Sequence, residues 1–187
     1  CSGYHYSDSI VIGFSHLHLN GTGCSDTGDI LFMPYTGKAR TQPGTQQDPL
    51  SGYASYYSKD NERALPGYYE VLLKTHRTKV ELTASDRVAF HRYTFPKDVE
   101  KHVMINLKDA NGDDRPTDTY LEQINDTVIR GYRYSTGWSK KQQIYFSAVF
   151  SQPVHLTLYH DSVQVAGNRL QGLDVKGNVA VAPVVGE

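Results

Sequence analysis

Short runs in which apolar and polar residues alternate constrain this sequence more than any other feature. In Lys79–Ala84, for example, Val80 and Leu82 fall on one side of an extended chain and Glu81 falls on the other. Apolar residues at helical spacing are almost absent. We therefore predict ten strands, at Ile10–Phe14, Ile30–Met33, Tyr68–Leu73, Lys79–Ala84, Val88–Phe95, Lys101–Asn106, Thr127–Tyr134, Gln143–Phe150, Val154–Tyr159 and Val179–Val184.

Turn-forming residues separate many of these runs, and we predict turns at Asp109–Gly112, Ser135–Gly137 and Lys176–Asn178. Strands joined by short turns favour an all-β fold, an antiparallel β-sandwich, over βαβ units. Two segments depart from the pattern. Thr36–Ser58 is polar, with Pro and Gly, and predicts a long surface loop, whereas Thr117–Asn125 predicts one or two helical turns.

The length of 187 residues suits one domain, and we treat 1–187 as a single β-sandwich. Its net charge of −1 offers no electrostatic attraction for nucleic acid, and no window approaches the ~20 apolar residues of a membrane span. The first residues lack the basic start and apolar core of a signal peptide. Because both ends are strand-like and abrupt, we expect them to be interior to a longer sequence. Two cysteines, Cys1 and Cys24, do not settle the compartment.

The segment Gly13–Asp29 is the strongest candidate for a functional surface. In a strand, His16 and His18 project from the same face, and the three glycines that follow shape a polar loop whose backbone a ligand can approach. Such a loop suits the set of hydroxyls on a sugar. Three other readings stay open: a metal site at His16, His18, Cys24 and Asp26, a phosphate cradle, and a tight strand connection with no ligand.

Three further features allow both a functional and a structural reading. The acidic pair in Asp60–Glu62 suits a cation or hydroxyls, but it equally suits capping a turn. Arg87 and Arg92 are expected to pair with Glu81 or Asp86. Trp138, the only tryptophan, lies on a Gly-containing turn where it would stack on a ligand or a neighbouring domain, or else belong to the core. No complete catalytic set of residues occurs in the sequence.

Several ordered blocks resemble the N-terminal domain of glycoside hydrolase family 92, the calcium-dependent exo-acting α-mannosidases. The blocks lie within about residues 1–152. They are Cys1–Asp8, Gly13–His16 with His18 and Gly21–Asp26, Gly28–Ile30 with Met33–Pro34, Pro66–Tyr69, Glu81–Ala84, Arg87, His91–Pro96, Gly131–Arg133, Gly137–Trp138, Gln142 and Tyr145–Phe146. Leu17 and Asn20 stand where Thr and Ser are usual in the family, which is a mild change on the proposed ligand loop.

The resemblance implies a supersandwich-like β-sandwich that packs on a larger (α/α)₆ barrel, with the active site in the cleft between them. It also implies hydrolysis of α-mannoside glycans with inversion, of the α-1,2 type, by carboxylates on the barrel. We therefore expect this chain to be an incomplete domain. It would lack early strands of the sandwich as well as the barrel. We expect it to contain no catalytic residue and to bind no metal, because the resemblance implies that the barrel binds the calcium.

The residues that the resemblance implies at the substrate are Cys1, His16, His18, Asp26 and Trp138. They would hold sugar hydroxyls or brace the catalytic groups, as one wall of the mannose pocket. The isolated chain is then expected to be inactive, and its parent to be periplasmic or extracellular. The alternative function is a stand-alone carbohydrate-binding β-sandwich module without catalysis.

Overall fold

The structure is a computed structural model that describes residues 4–17, 29–45, 47–109 and 114–182. Its strands are β1 Ile10–Val11, β2 Leu31–Thr36, β3 Ser55–Tyr56, β4 Glu62–Leu65, β5 Tyr68–Leu73, β6 Thr78–Ala84, β7 Ala89–Thr94, β8 Lys101–Asn106, β9 Arg115–Asn125, β10 Val128–Thr136, β11 Gln142–Val149, β12 Val154–His160, β13 Val163–Val165, β14 Arg169–Gly172 and β15 Val175–Val181. Two short 3₁₀ turns, Pro49–Ser51 and Lys59–Asn61, are the only helical elements in these ranges. No helical segment there is long and apolar enough to cross a membrane.

A five-stranded sheet, in the order β13-β12-β15-β8-β2, lies at the centre of the fold, and its strand pairs are antiparallel. One four-stranded sheet has the order β11-β10-β9-β14 and another has the order β4-β5-β6-β7. A two-stranded sheet of β1 and β3 completes the set. This arrangement confirms the predicted all-β antiparallel sandwich.

Two apolar clusters cover both faces of the central sheet. On one face, Val103 and Ile105 of β8 pack with Leu121 and Ile129 of the β11-β10-β9-β14 sheet. On the other face, Met104 of β8 packs in the cluster that contains residues of β5 and β6. Because neighbouring residues of β8 point to opposite faces, the strand is buried along almost its whole length.

The ten predicted strands all overlap observed ones, and Tyr68–Leu73 and Lys101–Asn106 match residue for residue. The predicted helical turns at Thr117–Asn125 are wrong, because this segment is part of β9. There it pairs with β10 on one side and β14 on the other, and those two ladders outweigh the local pattern.

The turn predicted at Lys176–Asn178 is also wrong, since these residues lie within β15 and are buried. A Cβ at Gly177 would lie 2.6 Å from the side chain of Leu156, so glycine serves close packing here rather than a turn. Thr36–Ser58 is only partly a surface loop, because Tyr53 and Ala54 are buried and β3 lies inside it. The prediction for Asp109–Gly112 falls mainly outside the described residues.

Candidate functional site

The two ends of the segment Gly13–Asp29 meet at one place, which we call the loop base. Phe14 and Phe32 form an antiparallel bridge through two backbone hydrogen bonds of 2.9 and 3.0 Å. The hydroxyl of Ser15 donates to the carbonyl oxygen of Asp29 at 2.7 Å, and the backbone N–H of Leu17 donates to that hydroxyl at 3.1 Å. The residues before and after the gap at 18–28 therefore lie side by side at one edge of the sandwich.

Backbone strain marks the return of the chain into β2. Ile30 has φ of 60°, a left-handed conformation that a β-branched residue rarely adopts. Such strain costs about 1–3 kcal/mol and persists only where the surroundings impose it. Here Ile30 is buried in the apolar cluster that contains Val103 and Ile105, and the side chain of its neighbour Asp29 is fully buried.

A buried ionic group holds Asp29 in place. Its carboxylate is ion-paired with Arg133 of β10 and also accepts a 2.5 Å hydrogen bond from Nε2 of Gln142 of β11. Arg133 is itself fully buried, and its guanidinium also donates to Asp114 at 2.6 Å and to the carbonyl oxygen of Leu107 at 2.8 Å. The group thus joins the loop base to the β11-β10-β9-β14 sheet through the fully buried side chains of Asp29 and Arg133.

Two carboxylates share one guanidinium in this group, so their negative charge is only partly balanced, and the pKa of Asp29 is shifted. Burial raises that pKa to about 6, against the lowering effect of Arg133. In the described part of the chain, Oδ1 of Asp114 and Nη2 of Arg133 lack a hydrogen-bond partner. Each such buried atom costs about 1–3 kcal/mol. Because Asp29 has no exposed surface, it can position the loop but cannot touch a sugar.

The turn that carries Trp138 lies at the same edge as the loop base. Ser135 and Gln142 are the last paired residues of β10 and β11, and Trp138 lies on the turn between them. Gln142 is the residue that donates to Asp29, so one hydrogen bond links this turn to the loop base. The indole is 72% exposed, which excludes the core reading and leaves its ring available for stacking.

His16 begins a chain of polar rings that runs from the surface inward. Its Nε2 lies 2.6 Å from Nε2 of His91 on β7, and Nδ1 of His91 lies 2.5 Å from the hydroxyl of Tyr93. Burial, and next the charge of His16, lower the pKa of His91 to about 4. His91 is therefore neutral at pH 7, so the contact between the two rings is one N–H···N hydrogen bond. That bond fixes the orientation of exposed His16, as positioning a sugar hydroxyl requires.

A depression of about 510 Å³ opens beside Asp114, and Asp109, Asp161 and Asp174 are among its lining residues. Asp174 is ion-paired with Lys108 at 2.8 Å, which partly offsets the negative charge. Within the described ranges, no three His, Cys, Asp or Glu side chains converge as a metal site would require. The acidic pair at Asp60–Glu62 belongs to a local network instead, because Glu62 pairs with Lys59 at 3.2 Å.

The described residues include two of the five predicted substrate residues, His16 and Trp138, and both lie at the edge that holds the loop base. Cys1, His18 and Asp26 lie outside the described residues, as does most of the predicted metal set. The expected pair of Arg92 with Glu81 is confirmed, at 2.6 Å on an outer face.

Asp29 ends the candidate segment Gly13–Asp29, but its sequence context did not indicate that it is buried, and Arg133, Gln142 and His91 were not among the predicted site residues. One signal for Arg133 was available. In the alternation of β10 it shares the inward face with Ile129, and a buried arginine requires a carboxylate partner. Nothing in the local sequence indicates which carboxylate that is, because Asp29 lies more than a hundred residues away.

The family model for the glycosyl hydrolase family 92 N-terminal domain matches residues 1–182. No curated protein matches the chain. Among solved structures, the chain is similar to a family GH92 α-mannosidase from Bacteroides thetaiotaomicron, with a TM-score of 0.92 and 34% identity over 97% of this chain. That mannosidase has also been solved in complex with mannoimidazole.

Two more distant structures share the fold. The GH92 family glycosyl hydrolase ccman5 has a TM-score of 0.82 at 25% identity over 97% of this chain and 25% of its own. A family GH92 inverting mannosidase from Bacteroides thetaiotaomicron VPI-5482 has a TM-score of 0.79 at 21% identity, over 100% of this chain and 24% of its own. The chain spans 25% of the length of the first mannosidase as well, so it corresponds to about a quarter of each of these proteins.

Proposed function

The chain belongs to the family of glycosyl hydrolase family 92 N-terminal domains, and from this membership we propose that it forms one wall of the mannose pocket of an α-mannosidase. The parent enzyme is proposed to be exo-acting and inverting, to depend on calcium and to prefer α-1,2 linkages. The partners of the domain are then α-mannoside glycans and an (α/α)₆ barrel that supplies the catalytic carboxylates.

One observation carries the proposal at the level of residues. The buried group of Asp29, Arg133 and Gln142 fixes the loop base beside the Trp138 turn, on a chain whose 34% identical relative is an α-mannosidase. Rigid scaffolds that hold exposed polar loops are where enzymes place binding residues. In an exo-acting enzyme, such a wall closes the pocket behind the terminal sugar and restricts cleavage to chain ends.

The described residues of this domain are proposed to bind and position the sugar rather than to cleave the bond. Inversion requires two carboxyl groups on opposite sides of the glycosidic bond, with room for a water molecule. Asp29 and Asp114 do not fit that role, because both are buried on a shared guanidinium. In the ranges that the structure describes, the donor set does not fit calcium either.

Steady-state kinetics on the full-length parent protein with an aryl α-mannoside tests this function. We expect His16→Ala and Trp138→Ala each to lower kcat/KM at least ten-fold, or about 1.4 kcal/mol of transition-state stabilisation. The matched control is Phe90→Ala, because this ring is 61% exposed and lies on the opposite face of β7 from His91, the partner of His16. An unchanged kcat/KM in both site variants would contradict the pocket wall.

Four further measurements on the parent separate the finer parts of the proposal. Proton NMR of the first product formed reports inversion, chelation followed by calcium addition reports metal dependence, and rates on linkage-defined mannobioses report α-1,2 preference. Cell fractionation tests the proposed periplasmic or extracellular location.

The isolated 187-residue chain gives the sharpest contrast with a stand-alone binding module. We expect no turnover of an aryl α-mannoside, and no binding of methyl α-mannoside by calorimetry, because only one wall of the pocket is present. Binding with a millimolar dissociation constant, or about 4 kcal/mol, would favour the stand-alone module instead if Trp138→Ala abolished it. Turnover by the intact 187-residue chain would refute the proposed division of labour.

A further inference from the structure

The outer side of the β11-β10-β9-β14 sheet carries four tyrosines that the proposed function does not use, and we call it the tyrosine face. Tyr132 of β10 pairs across the strands with Tyr120 of β9 and with Tyr145 of β11, so three adjacent strands present tyrosine in one row. Tyr134 follows two residues after Tyr132 and points the same way. Arg133 points into the sandwich between them, so this face is separate from the loop base.

The rings on this face hold one another in fixed orientations. Tyr132 stacks on Tyr120 with centroids 5.4 Å apart, and on Tyr134 with centroids 4.5 Å apart. Tyr145 is tilted by 59° against Tyr132, its centroid 5.9 Å away, and its hydroxyl is hydrogen-bonded to that of Tyr134. The side chain of Tyr145 is nevertheless exposed, at 65%. An exposed ring supported in this way is pre-organised for stacking.

The hydroxyls and carboxylates of the face form a polar rim. Tyr120 donates to Glu122 at 2.8 Å, and Tyr132 donates to Asp118 at 2.9 Å. Burial, and next the hydrogen bond to Asp118, raise the pKa of Tyr132 to about 12, so the phenol remains a donor at pH 7. Gln171 of β14 adds an amide that donates to the same aspartate at 3.0 Å.

A depression of about 550 Å³ lies on this face, and its lining includes Arg130, Tyr132, Tyr145 and Ser147. This volume is within the range of small-ligand sites, about 300–1,000 Å³. Arg130 is ion-paired with Glu122 at 2.9 Å.

The charges around the face balance. The carboxylates of Asp118 and Glu122 are matched by the guanidinium groups of Arg130 and Arg169, the latter opposite Glu122 on β14. Among the described residues of this face there is no excess positive charge for a phosphate or a nucleic acid, and the polar rim does not suit a purely apolar partner.

We propose that the tyrosine face binds a neutral glycan chain, outside the mannose pocket. The apolar face of a pyranose ring stacks on Tyr145, and its hydroxyls meet the donors and acceptors of the rim. The row of tyrosines across three strands suits several consecutive sugars better than a single one. The class of ligand follows from the face alone, whereas the choice of a mannose polymer rests on the proposed function.

Affinity electrophoresis of the intact 187-residue chain, in native gels with and without α-mannan, tests the proposal. We expect mannan to retard the chain, and Tyr145→Ala to weaken the apparent association constant at least ten-fold. Tyr145→Phe keeps the ring and should retain most of the binding. Phe90→Ala, which removes another ring with 61% exposure on a different sheet, should bind like the unmodified chain. Circular dichroism and urea midpoints confirm that each variant is folded.

The outcomes separate this inference from the pocket wall. If dextran but not mannan retards the chain, and Tyr145→Ala is not retarded, the face binds a glycan. That result would overturn a mannose polymer as its ligand. If neither polysaccharide retards the chain, or if Tyr145→Ala is retarded as strongly as the unmodified chain, the proposal is wrong. In that case the tyrosines only stabilise the sheet or contact another protein. Hydrolysis of an aryl α-mannoside by the parent does not depend on any of these results.

Discussion

Replacement of Arg133 by methionine is the most informative single change, because it removes the cation from the buried group at the loop base. The guanidinium has no exposed surface and donates to Asp29, to Asp114 and to the carbonyl oxygen of Leu107. Removal of one partner from a buried ion pair costs about 3–5 kcal/mol, since the remaining charge stays desolvated. Against a total stability of about 5–15 kcal/mol for a domain, that loss is large.

The loss should depend on pH in a defined direction. Burial already raises the pKa of Asp29 to about 6, and Arg133 opposes that shift, so its removal raises the pKa further. A carboxyl group whose pKa is raised on folding contributes stability below its unfolded value, about 3.9, and this contribution disappears as pH rises through the folded pKa. We therefore expect Arg133→Met to cost much less at pH 5, where the carboxyl group of Asp29 is protonated, than at pH 7.5.

Urea denaturation of the 187-residue chain at both pH values, followed by circular dichroism, measures this effect. Arg130→Met is the matched control, because Arg130 lies on the same strand but faces solvent, with its side chain 60% exposed and paired to Glu122. An exposed pair of this kind contributes about 0–1 kcal/mol. The reasoning fails if the two arginine variants lose similar stability, or if the loss in Arg133→Met is the same at pH 5 and pH 7.5.

Three further predictions concern single side chains. The pKa of His91 is lowered to about 4, so its contribution to stability is present above about pH 6.5 and is lost as pH falls towards 4. His91→Phe should remove about 3 kcal/mol of this dependence of the free energy of unfolding on pH. Urea midpoints measured at pH 4.5 and pH 7 that shift equally in both proteins would contradict this. A Cβ at Gly131 would lie 2.8 Å from the ring of Phe146 and closer still to the carbonyl oxygen of Tyr120. Gly131→Ala should therefore lower the free energy of unfolding by about 1–3 kcal/mol. An unchanged urea midpoint would instead show that the sheet adjusts freely. Because Trp138 is 72% exposed, acrylamide should quench its fluorescence nearly as well in the folded chain as in urea. Trp138→Ala should change the free energy of unfolding by no more than about 0.5 kcal/mol. Strong protection from quenching would mean that the indole makes a contact that the structure does not contain.

The family resemblance and the local pattern indicated residues at the edge that holds the loop base, but not the contacts that organise this edge. His16 and Trp138 were predicted from short motifs, and both lie at the edge that holds the loop base. His91, by contrast, is the partner of His16 across 75 positions of the sequence, and no local signal joins the two. The predictions for Cys1, His18 and Asp26 stay predictions, because those residues lie outside the described ranges.

Alternation by itself determined that the chain is all-β and placed most strands, because a side chain in a strand must point either to the core or away from it. Tertiary structure alone decided the segments where long-range contacts oppose the local pattern. Thr117–Asn125 resembles helical turns, yet it becomes the middle of a sheet because β10 and β14 satisfy its backbone on both sides. Lys176–Asn178 resembles a turn, yet it is buried strand, because β12 and β8 pair with it on both sides and glycine at 177 allows the close approach to Leu156. In the same way, the alternation of β10 offered a signal, not used in the sequence analysis, that Arg133 points inward, but only the fold could bring Asp29 to it.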